Sequence, residues 1–185
     1  IVKKNYQEKI KNLLTLSNLC KKTLLTDNII QNASKAFIKA KGSMFLGRGY
    51  SFPIALEGAL KLKELAYVHA EGYPAGEMKH GPLALIEEGM PVVVLAPRDN
   101  HYKKTISNMQ EVIARGAKVL LVTNKSKDEV QSENIWETIE VENLAEDLLP
   151  FLTTIPLQKL AYYSALQNGY DIDKPRNLAK SVTVE

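Results

Sequence analysis

In ALEGALKLKELAYV (residues 55–68), Glu57, Lys61 and Glu64 stand at i, i+4 and i+7. On an α-helix that spacing gathers them into one charged stripe. A carboxylate on such a stripe can take and return a proton if the stripe lines a cleft; on a solvated face the same residues make ordinary ion pairs. The next segment, HAEGYPAGEMKHGPLALI (69–86), reads as a long loop and carries His80. An imidazole titrates near neutrality, so His80 can exchange protons, although a loop histidine can equally be structural or simply exposed. A short helix starting at Gly81-Pro82 would put His80 near its N-terminus, where the neutral ring is favoured. The third candidate is Lys180, in the closing stretch DKPRNLAKSVTVE (173–185). If that stretch docks through Leu178, Val182 and Val184, a partly desolvated Lys180 loses its proton more easily and can attack a carbonyl. The alternative is a salt-bridged tail with no chemical role.

Elements that could position these residues are legible in the texture of the chain. Residues 3–40 read as helix, with Ile10, Leu13, Leu14, Ile30, Ala33, Phe37 and Ala40 at three- and four-residue spacing and Thr26 or Asp27 as a cap for a second helical piece. SMFLGRG (43–49) predicts a buried strand, and a helix follows over about 53–68, where Leu56, Leu60, Leu62, Ala66 and Tyr67 would cover most sides. PVVVLAP (91–97) and KVLLVTN (118–124) predict two more buried strands around a helix of about 101–115 that stops at Gly116. IWETIEV (135–141) alternates like a half-exposed edge strand, and a long helix over about 148–168 closes on Gly169. Strands alternating with helices imply parallel pairing through right-handed crossovers. The expected fold is a three-layer α/β/α sandwich with a mostly parallel sheet, flavodoxin-like. Ligands in such sheets bind beyond the carboxyl ends of the strands, which directs attention to GRGYSFP (47–53) and the helix it feeds.

Bulk composition narrows the functional classes. The 185 residues are 45% hydrophobic and 24% charged, an ordinary globular balance with one core. A net charge of +3, spread evenly, argues against nucleic acid or an anionic membrane as partner. Cys20 is the sole cysteine, so no internal disulfide forms, and with three histidines at 69, 80 and 101 it matches no zinc spacing. No stretch has the apolar length of a membrane span and the N-terminus lacks a signal peptide's apolar core, so the cytoplasm is the expected location. A chain beginning at Ile1 suggests a fragment of a longer polypeptide.

The stretch LGRGYSFPIALEGALKLKELAYVHAEGYPAGEMKHGPLALI (46–86), followed at the end by DKPRNLAKSVTVE, resembles the glucosamine-6-phosphate synthase family, the isomerising glutamine–fructose-6-phosphate aminotransferases. The likeness is to the second sugar-isomerase (SIS) subdomain of the isomerase half and covers nearly the whole chain. It implies an N-terminal helical segment (1–40) linking to a first SIS subdomain, an SIS domain (41–170) and an active-site tail (171–185). It also implies the reaction of fructose 6-phosphate and glutamine to glucosamine 6-phosphate and glutamate. On that resemblance Lys180 matches the lysine that forms a Schiff base with the open-chain ketose, and Glu64 the base moving a proton between C1 and C2. His80 matches a ring-opening histidine that reaches the neighbouring subunit of a homodimer, Lys61 a lysine assisting proton handling, and Ala179 with Lys180 the substrate-binding positions of the tail. No metal or pyridoxal cofactor is implied. The family's glutaminase domain and Ser/Thr-rich phosphate loop have no counterpart here; Cys20 falls in a helical stretch and TNKSKD (123–128) is an ordinary polar loop. A non-catalytic SIS module for phosphosugar sensing or dimerisation is the competing reading, and the Lys180 tail discriminates, because a sensor has no use for a nucleophile.

Overall fold

The computed structural model describes residues 2–124 and 135–176, with side chains from Tyr6 onward. Among these residues five strands form one sheet: β1 (Ser43–Gly47), β2 (Ala70–Pro74), β3 (Pro91–Leu95), β4 (Lys118–Asn124) and β5 (Ile135–Val141). Their order is β2-β1-β3-β4-β5 and every pairing is parallel. Among the described residues five α-helices accompany them: α1 (Val2–Thr23), α2 (Asp27–Ser34), α3 (Ser51–Ala66), α4 (Tyr102–Ile113) and α5 (Leu149–Gln167). This is the expected α/β sandwich, with the doubly wound strand order of flavodoxin-like sheets.

The three central strands β1, β3 and β4 are buried on both faces, and their alternation sorts side chains into two cores. Phe45, Val93, Leu95, Leu120, Val122 and Ile139 face Ile30, Phe37, Leu62, Leu157 and Leu160 from α2, the turn after it, α3 and α5. Met44, Leu46, Val92, Val94, Val119 and Leu121 face the other way, onto Met109 and Val112 of α4 and onto Met78 and Leu83. Continuous apolar runs such as PVVVL therefore read correctly as central strands, since neither face could be polar.

One expectation needs correction. The stretch 69–86 is not a single loop: Ala70–Pro74 pairs along its whole length with Ser43–Gly47 as the outermost strand. Its composition hid it, because Glu71, Gly72 and Pro74 are poor strand formers and only Ala70 is fully buried. An edge position tolerates all three, since one side of the strand needs no partner. Two short 3-10 turns follow, Ala75–His80 and Pro82–Leu85. On α1, read from the sequence as helix, Leu13 and Leu14 remain exposed, Leu14 to 76%. α1 touches α5 and carries ion pairs from Lys9 to Asp147 and from Lys22 to Glu142, while Ile30, Ala33 and Phe37 beyond it are fully buried. At the break between the two helices Thr26 is the N-cap residue, but its hydroxyl donates back to the Thr23 carbonyl and caps nothing.

Candidate functional site

Because β1 and β2 run parallel, the crossover helix α3 must travel from the carboxyl end of β1 to the amino end of β2. Its start at Ser51 therefore lies beside the GRGYSFP turn, but Lys61 and Glu64 lie in its last turns, about 15 and 20 Å further along the helix. The charged stripe is thus at the end of the sheet opposite the one the general rule for open sheets selects.

The stripe itself forms as its spacing requires. Lys61 Nζ donates to Glu64 Oε2 at 2.6 Å and stands 3.8 Å from Glu57 Oε1. The Lys61 and Glu64 side chains are 31% and 27% exposed, so the pair is half-sheltered. The hydrogen bond to Glu64 raises the Lys61 pKa above its ordinary value, against a smaller lowering by burial, so Lys61 is cationic at neutral pH. A cation that cannot accept a proton is a poor base but a good electrostatic partner for a carboxylate that does. The helix is covered on one side only: Leu62 and Ala66 are buried, whereas Leu56 and Leu60 are exposed, contrary to the expectation of cover on most sides.

His80 is elsewhere. It ends the 3-10 turn that follows β2, so the length of that strand, about 16 Å, separates its end of the sheet from that of Glu64. The expected helix at Gly81-Pro82 is one 3-10 turn of four residues, too short to act on His80 through a helix dipole. The His80 side chain is 76% exposed, with Nε2 standing 3.8 Å from Glu77 Oε2. The turn carrying it is nonetheless held firmly. Met78 is buried beneath it, and Lys79 pairs with Glu111 of α4 at 2.9 Å. Arg48 donates through Nε and Nη2 to Asn108 Oδ1 of α4 at 3.1 and 2.9 Å. A Cβ on Gly76 would come within 2.5 Å of Arg48 Nη2, so glycine is what lets the turn close over that guanidinium.

Lys180 and Ala179 lie outside the described residues, as do the last positions of TNKSKD. The segment leading toward Lys180 is described, and it is built. After α5 the chain reverses at Gly169 (φ +76°), Tyr170 meets Tyr67 edge-on at 4.8 Å, and Asp171 Oδ1 accepts from the Asp173 and Lys174 amides. Arg176 then stacks its guanidinium 4.0 Å from the Tyr67 ring centroid and donates its backbone N–H to Tyr67 Oη at 2.7 Å. Tyr67 is the residue that ends α3, three positions after Glu64, and it holds the left-handed conformation (φ +56°) uncommon for a bulky side chain. Sequence reasoning assigned Tyr67 only to the apolar cover of the helix; no local pattern signals a left-handed tyrosine.

Among the described residues, no group of three or more His, Cys, Asp or Glu side chains could hold a metal ion, and no helix is long and apolar enough to cross a membrane. Cys20 lies in α1 as a free thiol.

Comparison with known proteins adds the following. Residues 36–167 match the SIS domain family. The chain is 49% identical over 176 residues to a glutamine–fructose-6-phosphate aminotransferase (isomerizing) of Bartonella henselae, an alignment covering 95% of this chain and 29% of that protein. It is 50% identical over 176 residues to the enzyme of the same name from Aquifex aeolicus, covering 95% of this chain and 30% of the relative. In structure it resembles the C-terminal domain of glucosamine-fructose-6-phosphate aminotransferase from Francisella tularensis, with a TM-score of 0.85 and 44% identity, covering 92% of this chain and 47% of that one. The chain thus spans under a third of the length of the curated relatives it matches.

Proposed function

Because this chain belongs to the SIS domain family, we propose that it is the C-terminal sugar-isomerase lobe of a cytoplasmic glutamine–fructose-6-phosphate aminotransferase. The observation that carries the reading is the half-sheltered Lys61–Glu64 pair at the end of α3, beside the root of the segment that bears Lys180. The overall reaction converts fructose 6-phosphate and glutamine to glucosamine 6-phosphate and glutamate. In it the neutral amine of Lys180 adds to the C2 carbonyl of the open-chain ketose, and loss of water leaves an imine. Ammonia released from glutamine displaces the lysine. Glu64 then takes the proton from C1 and returns it to C2, within hydrogen-bond reach of both carbons. Lys61 stays cationic throughout and steadies the charge that builds on the enolic oxygen and on Glu64. Ala179 lines the sugar next to Lys180.

Ring opening falls to His80 in this proposal, acting in the site of a second copy. Its exposure, and its distance from Glu64 within one chain, suit a homodimeric site and would be hard to reconcile with a monomeric one. Glutamine hydrolysis and the grip on the phosphate are assigned to the polypeptide outside this chain.

The test is imine trapping in the full-length polypeptide. Borohydride reduction with fructose 6-phosphate should attach the sugar to Lys180, read by peptide mass spectrometry. Lys180→Arg should abolish it, because a guanidinium is no nucleophile near neutral pH. Undiminished trapping on Lys180→Arg would sink the Schiff-base assignment.

A further inference from the structure

His80 points outward from a turn whose other contacts face inward. Its side chain is 76% exposed, so the imidazole stands wherever the backbone beneath it is held. That backbone lies on Arg48. A Cβ added at Gly76 would meet Nη2 of Arg48 at 2.5 Å, Cζ at 2.9 Å and Nη1 at 3.0 Å. The turn therefore rests against the whole guanidinium head and not on its tip alone. The head group is itself oriented, because Nε and Nη2 both donate to Asn108 Oδ1 and two donors along one planar edge fix the plane. Asn108 is 7% exposed on α4, next to Met109, which is buried in the core. Three residues on, and on the same helix face, Glu111 takes Lys79 at 2.9 Å. The Lys79 side chain is mostly exposed, and such pairs are worth little; the sheltered, charge-assisted Arg48–Asn108 contact is the stronger hold.

We propose that Arg48, oriented by Asn108, is a positioning residue that holds the turn Ala75–His80 and thereby sets the stance of His80 for ring opening. The inference rests on the function proposed above, in which His80 works in the site of a second copy. The mechanics are those of a lever. Met78, buried in the core, is the fulcrum, with Gly76 two residues before it and His80 two residues after. At about 2 Å per residue in a 3-10 turn, both arms are about 4 Å long. When the guanidinium loses its tie to Asn108 and swings away, Gly76 settles into the space it leaves. Equal arms carry that displacement to His80 undiminished. A misplacement of about 1 Å at a reacting centre costs on the order of a hundredfold in rate.

The experiment uses the full-length polypeptide and compares kcat/KM for two substrates. Fructose 6-phosphate closes its furanose ring through the 5-hydroxyl. 5-Deoxyfructose 6-phosphate lacks that hydroxyl, stays open and needs no ring opening. Asn108→Leu keeps the branched shape and removes the acceptor; it should lower kcat/KM for fructose 6-phosphate roughly ten- to hundredfold and leave the open substrate within about twofold of wild type. Asn108→Asp keeps an acceptor for both Arg48 donors and should restore most of the rate. An equal fall on both substrates, no fall on either, or no recovery in Asn108→Asp overturns the proposal. His80→Ala tests the underlying role. If it shows the same selective loss, adding Asn108→Leu to it should cost nothing further, because both changes act through one imidazole; an additive loss overturns the proposal. If His80→Ala spares the cyclic substrate, the ring-opening role of His80 fails. Amide hydrogen exchange over residues 75–80 then decides the hold of Arg48 on the turn: faster exchange in Asn108→Leu sustains it, and exchange equal to wild type overturns it.

Discussion

Gly58 offers a test of how tightly α3 must be seated to present Lys61 and Glu64. It lies mid-helix, where replacing glycine with alanine ordinarily stabilises by about 0.8–1 kcal/mol. Here an added Cβ would stand 2.6 Å from Leu157 Cδ1 and 2.9 Å from Phe45 Cε1. Both neighbours are fully buried, one on α5 and one on β1, so neither can swing aside into solvent. Inserting a methyl group into such packing costs about 1–3 kcal/mol. The packing cost therefore outweighs the helical gain, and Gly58→Ala should destabilise by about 1 kcal/mol net. For a chain of this length that lowers the melting temperature by about 2–4 °C, measured by circular dichroism on the 185-residue chain. The double variant Gly58→Ala/Leu157→Val should recover part of the loss, because it removes the nearer obstacle, whereas additive losses would mean the two sites do not touch. A raised melting temperature for Gly58→Ala would refute the argument, since helix propensity would then have won and the sheet, α3 and α5 would not be in hard contact.

Two further outcomes bear on the charged groups. In the full-length polypeptide Glu64→Gln should cut solvent-deuterium incorporation at C2 of the product by roughly 10²–10⁴-fold, because an amide cannot serve as base; mass spectrometry of the product checks it, and unchanged incorporation removes Glu64 from that role. Where α2 meets α5, Asp27 accepts from Lys159 at 2.7 Å and from the Tyr163 hydroxyl, and those bonds hold its pKa below the ordinary carboxylate value. A lowered folded-state pKa stabilises above the unfolded value, about pH 4, and that stabilisation disappears as pH falls through the folded value. Thermal melts should accordingly show wild type more stable than Asp27→Asn at pH 7 and the difference closing toward pH 3; a constant difference across that range would show that the Asp27 charge contributes nothing.

Much of this protein is written in local patterns. PVVVL and KVLLV read as central parallel strands, because a run of apolar, mostly β-branched or leucine residues offers no polar face to solvent. The helix carrying Glu57, Lys61 and Glu64 follows from its periodicity, and so does the meeting of Lys61 with Glu64 one turn on. β2 was illegible for the opposite reason: an edge strand rich in glycine, proline and glutamate owes its conformation to β1 beside it and to little in its own residues. The stripe's position was misread for want of direction. Sequence spacing says that three residues share a helix face but not which end of the sheet that face reaches; only the parallel β1–α3–β2 crossover puts Glu64 at the amino end of β2 and His80 beyond its carboxyl end.

By itself, then, the sequence determined the elements whose causes are local: periodicity, β-branched runs, and the residue types able to exchange protons. Tertiary structure alone decided that Tyr67 turns left-handed, that Arg176 comes back to stack on it from more than a hundred residues away, and that Arg48, bonded to Asn108 of α4, passes close beneath Gly76. These are contacts between segments distant in the chain, made when packing overrides the preference of a single residue, and no window of neighbouring residues contains the energy that selects them.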